Sequence, residues 1–211
     1  MTPSPDMLHR FTLGQRWIHW TLAGLMGVCM LTAAFLYVDP LSTLVGRRDL
    51  VATLHFAAGL ALPVPLLVGV IASAAFRRDA ARVNRFSPQD WAWLRSSERR
   101  TLPVGKFNAG QKLNSAFVLG AVLVLFGTGL MLHYFALFSD DIRTGATFVH
   151  DLFAAAVVIV SGGHVWMAYR DPQARVGMRT GSVDPAWAQR EHSEWAREQG
   201  IEPVPVSDRS D

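Results

Sequence analysis

"VHDLFAAAVVIVSGGHVW", Val149 to Trp166, is apolar enough to lie in a lipid bilayer, yet it carries a histidine near each end. An ionisable side chain within such a segment is costly and marks a functional site by default. His150 and His164 are fourteen residues apart. In an α-helix that interval turns through about 1400°, within about 40° of a whole number of turns, and rises about 21 Å. The two rings therefore share one helical face, each near a different membrane surface.

Three other runs have the same character. With the first, they cover roughly residues 17–38, 50–76, 115–138 and 146–169 of the 211-residue chain. Each exceeds the ~20 residues needed to cross a hydrocarbon layer about 30 Å thick. Inside lipid the backbone must satisfy its own hydrogen bonds, so each run is expected to be helical. A soluble domain would carry more than 18% charged residues and would not gather its apolar half into blocks. The predicted fold class is all-α, an integral membrane four-helix bundle forming one domain over residues 1–211. The first run is long, contains His19 and Trp20, and lacks a small-residue cleavage site, so it reads as a span and not as a cleaved signal.

Charge sets the expected orientation. Seventeen of the twenty Lys and Arg residues fall in the amino-terminal segment, the connection from Arg77 to Lys112, and the tail beyond residue 169. Only Arg47, Arg48 and Arg143 lie on the other side. Both termini, and the tail 170–211, are thus expected to be cytoplasmic. The net charge of +3 reflects topology and contact with anionic lipid headgroups, and no nucleic-acid module is present. The single cysteine, Cys29, rules out an intrachain disulfide and a cysteine-ligated cluster, and reads as an apolar filler.

Short helices are expected outside the spans. In "SPQDWAWL", Ser87 suits an N-cap, Pro88 the first turn, and Asp90 the partner of a capping box, with Trp91 and Trp93 at the interface. The tail repeats the device at Asp184–Pro185 and is expected to run helical to Gly200. Pro63 and Pro65 are expected to kink the second span.

The remaining histidines complete a pattern. His19 falls near the cytoplasmic start of the first span, level with His164. His55 falls near the outer start of the second, level with His150. Two depths each receive two rings from different helices, as two stacked bis-histidine b haems require. Gly24, Gly27, Gly59, Gly162 and Gly163 beside these rings would admit a porphyrin, although glycine also serves close helix packing. Zinc would want three or four clustered ligands, and none are grouped that way. His133 could replace His55, but Tyr134 and Phe135 beside it suit an interfacial aromatic site better; His9 and His192, in polar tails, are expected to be solvated.

"GKFNAGQK", Gly105 to Lys112, is too polar for a span and is placed at the cytoplasmic surface. It suits a loop with lysine anchors. It equally suits a ligand loop, since Asn108 and Gln111 offer donors and acceptors while Gly105 and Gly110 allow backbone approach.

On these residues the chain resembles the cytochrome b (gamma) subunit of membrane-bound respiratory formate dehydrogenases. The resemblance runs over nearly the whole chain. It rests on His19–Trp20, "LHFAAG" around His55, "GKFNAGQK", the His150–His164 interval and the tail "GSVDPAWAQREHSEWARE". It implies an inner haem b on His19 and His164, an outer haem b on His55 and His150, and a quinone site (menaquinone or ubiquinone) at Asn108, Gly110 and Gln111. It also implies an iron–sulfur subunit and a molybdenum or tungsten catalytic subunit as partners, with formate oxidised on the latter. Similar bundles occur in hydrogenase and thiosulfate reductase cytochromes, and a stand-alone superoxide-oxidising cytochrome b or a haem-free transporter are rival readings. Asp151, directly after His150, and the two prolines depart from the family pattern.

Overall fold

A computed structural model describes residues 7–99 and 101–201 as an all-α membrane bundle. Arg100 and tail residues 202–211 lie outside the described residues. Four stretches are long and apolar enough to cross a membrane. These are α1 (Leu13–Tyr37), the pair α3 (Arg48–Ala61) and α4 (Val64–Ala72), α7 (Ala109–His133) and α8 (Asp140–Arg170). Between them lie α2 (Asp39–Val45), α5 (Ala74–Val83) and α6 (Pro88–Arg95); beyond them lie α9 (Pro172–Thr180), α10 (Pro185–Glu191) and α11 (Ser193–Glu198). Helices α5, α6 and α9–α11 occupy one end of the bundle, hereafter the basic end.

Caps, and not hydropathy, set the helix limits. Helix α1 starts four residues before the apolar run because Thr12 and Gln15 form a reciprocal capping box. Helix α7 starts at Ala109, six residues before the expected span, because Asn108 and Gln111 do the same. Ala109–Lys112 is therefore helix and not loop. The expected box at Ser87 and Asp90 is present.

The second span breaks where the prolines fall. Neither Pro63 nor Pro65 has an N–H to give the helix. Leu62 N–H turns back to Gly59 O at 3.3 Å, and α4 restarts with Pro63 as its N-cap. The span then stops at Ala72 and not at Phe76. Ser73 adopts an extended backbone, accepts from Phe76 N–H at 3.1 Å, and starts the charged helix α5 in a new direction. Gly69 makes that corner possible: a Cβ there would lie 2.8 Å from Phe76 and 2.9 Å from Ile18.

The spans pair as hairpins. Helix α1 packs on α3 and α4, α7 packs on α8, and the hairpins meet along α3 and α7. Among the described residues, α7 is the only span on which α8 packs closely. The core holds Met26, Leu62, Ala121, Val122 and Val157, with Cys29 packed against it as filler. Large side chains such as Leu31, Ile71 and Ile159 point outward at 60% exposure or more, as lipid-facing positions do.

At the basic end the tail folds back. Leu8–His9 pairs antiparallel with Ser182–Val183. Gly181, at φ +93°, takes both Arg10 and Phe11 N–H on its carbonyl, in a conformation open only to glycine at that approach. Trp20 Nε1 donates to Met178 O at 3.2 Å, and Arg16 donates to Arg179 O. The tail is not one helix to Gly200. It breaks at His192, and that residue is 2% exposed and not solvated. His9 is exposed, as expected.

Candidate functional site

Two ring pairs bridge the hairpins. His19 on α1 and His164 on α8 have centroids 6.3 Å apart at the basic end. His55 on α3 and His150 on α8 have centroids 6.3 Å apart at the opposite end. The shared face of α8 thus meets a different helix at each depth. His133 is not brought to this axis; it stacks on Phe56 with centroids 3.6 Å apart.

The separation tests what the pairs can hold. An imidazole nitrogen lies about 2.0 Å from a bound metal and about 1.1–1.2 Å from its own ring centre, so two rings on opposite sides of one ion have centres roughly 6.2–6.4 Å apart. Both pairs meet that figure. Only two rings converge at each level, and among the described residues no three His, Cys, Asp or Glu side chains form a metal group. Two imidazoles with no third protein ligand would suit an iron held mainly by a macrocycle, and not zinc. The glycines agree. A Cβ at Gly24, Gly27, Gly59, Gly162 or Gly163 would meet nothing within 4 Å, so helix packing does not account for them. His19 Nδ1 is a buried polar atom without a protein partner. The residues fit a bis-histidine haem at each level.

The His55–His150 pair has a supporting shell absent from the sequence reading. Thr32 Oγ1 lies 2.9 Å from His55 Nδ1, and Thr128 Oγ1 lies 2.9 Å from His150 Nδ1. A threonine within an apolar run carries no mark of this in the sequence, because the contact crosses to another helix. Asp151 finds a role as acceptor: Tyr37 Oη donates to its Oδ1 at 2.5 Å, tying α8 to the end of α1.

A match to a family model spans residues 10–175 and is described as prokaryotic cytochrome b561. The chain belongs to the prokaryotic cytochrome b561 family. Membership implies haem b and a multi-pass membrane protein. Two relatives from Escherichia coli strain K12 are similar to this cytochrome. It is 31% identical over 110 residues to the cytochrome b556(Fdn) subunit of the nitrate-inducible formate dehydrogenase, a match covering 50% of each chain. It is 26% identical over 210 residues to the formate dehydrogenase cytochrome b556(fdo) subunit, covering 92% of this chain and 93% of that one.

The basic end of this b561 protein carries the polar motif. Asn108 Oδ1 accepts from Gln111 N–H at 2.9 Å, and Gln111 Oε1 accepts from Asn108 N–H at 3.0 Å. Capping uses both oxygens and leaves both amide NH2 groups without a hydrogen-bond partner among the described residues. Gly110 sits against Trp93, where a Cβ would lie 3.6 Å from the indole. A cavity of about 70 Å³ opens beside Asn108, lined also by Asp90, Trp93, Lys112 and Glu194; Gly110 and Gln111 do not line it. Lys112 Nζ meets Asp90 Oδ2 at 2.8 Å. Burial works to raise the Asp90 carboxyl, but the Lys112 and Ser87 hydrogen bonds outweigh it and hold it below the usual range.

The tail locks this motif in place. His192 Nδ1–H donates to Gly105 O at 2.8 Å, and Arg10 donates to His192 Nε2 at 3.1 Å and to Lys106 O at 2.8 Å. Glu194 N–H donates to Val104 O at 3.0 Å. Arg10 also lies over the Trp187 and Trp195 rings. Burial first, and the Arg10 charge second, push His192 down to about 3, so the ring stays neutral. Burial brings Arg10 down to about 10, against the pull of Asp171 and Asp79.

Proposed function

We propose that the chain is the membrane cytochrome b subunit of a formate dehydrogenase, linking a periplasmic iron–sulfur subunit to a quinone at the cytoplasmic side. His55 and His150 would hold one b haem and His19 and His164 a second. When bound, the haems supply one-electron carriers at two depths of the bilayer. What carries the reading is the equal 6.3 Å separation of two histidine pairs at opposite ends of one helix face. The formate dehydrogenase names of the relatives support the donor.

The chain's residues would divide the work. Helix α8 supplies a ligand at each level, spaced by its own rise, while α1 and α3 supply the facing rings. Asn108, Gly110 and Gln111 would form the quinone site: the free amide groups donate to a quinone oxygen, and Gly110 lets the first turn of α7 lie against Trp93. The polar cavity beside Lys112 would hold the water from which a reduced quinone takes protons. With lysine and arginine concentrated at that end, both termini lie in the cytoplasm of a bacterial inner membrane. Asp151 and Tyr37 brace the opposite surface, where the donor subunit would dock.

The test is a reduced-minus-oxidised spectrum of the purified complex, a haem-to-chain ratio, and identification of the co-purifying subunits. Two b haems per chain with molybdenum or tungsten and iron–sulfur subunits are expected. A chain lacking a bis-histidine b spectrum would refute the reading. A hydrogenase among the partners would reassign the donor.

A further inference from the structure

The two histidine pairs are alike in spacing and unlike in support. Each outer histidine meets a threonine on the hairpin partner of its own helix: Thr32 on α1 serves His55 on α3, and Thr128 on α7 serves His150 on α8. Among the described residues, neither His19 nor His164 has a hydrogen-bonded ring nitrogen.

The threonine proton can be placed. Thr32 Oγ1 lies 2.6 Å from Val28 O and 3.1 Å from Cys29 O. Thr128 Oγ1 lies 2.7 Å from Val124 O and 3.4 Å from Leu125 O. Two oxygens at such distances need a proton between them, and a carbonyl has none to give. Each hydroxyl therefore donates along its own helix and offers a lone pair to the imidazole. The histidine must then carry its proton on Nδ1, leaving Nε2 as the electron-pair donor. Back-bonding to the preceding turn is ordinary for threonine in apolar helices. It does not account for the second contact, made twice at the same distance and at one level only.

We propose that Thr32 and Thr128 are positioning residues that fix the tautomer and direction of the outer histidines and lower the reduction potential of the haem held there relative to the inner one. This rests on the reading of the four histidines as axial ligands. A hydrogen bond accepted from the far ring nitrogen makes the ligating nitrogen a stronger donor, which favours the ferric state. The inner pair lacks that push. The difference makes electron flow from the opposite end to the basic end downhill, the direction that quinone reduction at Asn108 requires.

The experiment is potentiometric titration of the b-haem absorption in the purified complex carrying Thr32→Val, Thr128→Val, Thr32→Ser or Thr128→Ser. Valine keeps the shape without the acceptor, and serine keeps the acceptor. Each valine change is expected to shift the outer haem's reduction equilibrium at least tenfold toward the reduced form, about 59 mV for one electron. The inner haem should stay fixed, and serine should restore the original value. Loss of the outer haem with valine and its retention with serine would equally support the role. Full haem content with both potentials unmoved in both valine variants would overturn it, as would serine variants that behave like valine. A wild-type complex lacking bis-histidine haems would instead overturn the parent reading.

Discussion

His19 and His164 hold their ring centres 6.3 Å apart although the helices that carry them, α1 and α8, belong to different hairpins and pack closely on other partners. Direct helix contact does not bring the rings together. The close approach is reserved for two side chains of one chemistry, and it recurs at His55 and His150.

If each pair holds one haem, His164→Ala should remove the inner haem and leave the outer one reducible by the donor. The pyridine haemochrome assay should read half the wild-type haem, and quinone reduction should cease. An unchanged haem content would disprove the pairing.

Gly59 lies one turn beyond His55, with open space where a side chain would project. Gly59→Leu should lower haem content sharply while circular dichroism shows the helices intact. Alanine at the same place should stabilise α3 by up to ~1 kcal/mol through helix propensity if the space is unused by a ligand.

Asn108 caps α7, and if it also binds quinone the two duties are separable. Asn108→Ala removes the cap and should cost about 1 kcal/mol of stability along with quinone turnover. Asn108→Asp keeps the capping oxygen and loses the amide donor. It should melt near the wild-type temperature yet turn over quinone slowly, with both haem spectra intact. Normal turnover in the aspartate variant would remove Asn108 from the quinone site.

Lys112 and Asp90 form an ion pair with both side chains under 15% exposed. Lys112→Met strands the carboxylate and should cost on the order of 3 kcal/mol, while changing both partners to apolar residues should cost far less. Thermal unfolding of the single and double variants measures the difference.

Tail docking should depend on pH through His192. Its folded value, about 3, lies below the ordinary 6.5, so the unfolded tail binds the extra proton between them. Docking is therefore fully stabilised above about pH 6.5 and weakens as pH falls toward 3, by up to about 1.4 kcal/mol per pH unit. Hydrogen exchange in α10 and α11 should accelerate across that window. His192→Gln should flatten the dependence. Arg10 opposes protonation of His192, so in Arg10→Gln the folded value should rise toward 6.5 and the loss should end at a higher pH.

Much of this architecture is legible in one dimension. Four spans follow from apolar runs, because lipid forces a long apolar backbone to be helical whatever its neighbours. The pairing of histidine depths follows from helical rise, a local constant. Capping residues were readable at Ser87 and Asp184, but Thr12, Ser73 and Asn108 moved helix limits by several residues, since a cap outweighs hydropathy at a helix end. His192 is buried against its sequence expectation because a polar tail reads as solvated until the surface it folds onto is known.

By itself, then, the sequence determined the membrane class, the number of spans and the common face of His150 and His164, all set by short-range geometry and the low dielectric of lipid. Tertiary structure alone decided that Thr32 meets His55 and Thr128 meets His150, that Asp151 meets Tyr37, and that His192 and Arg10 clamp the Gly105–Lys112 motif. Those contacts join residues 22 to 182 positions apart, and no local periodicity encodes which helix a side chain will meet across a bundle.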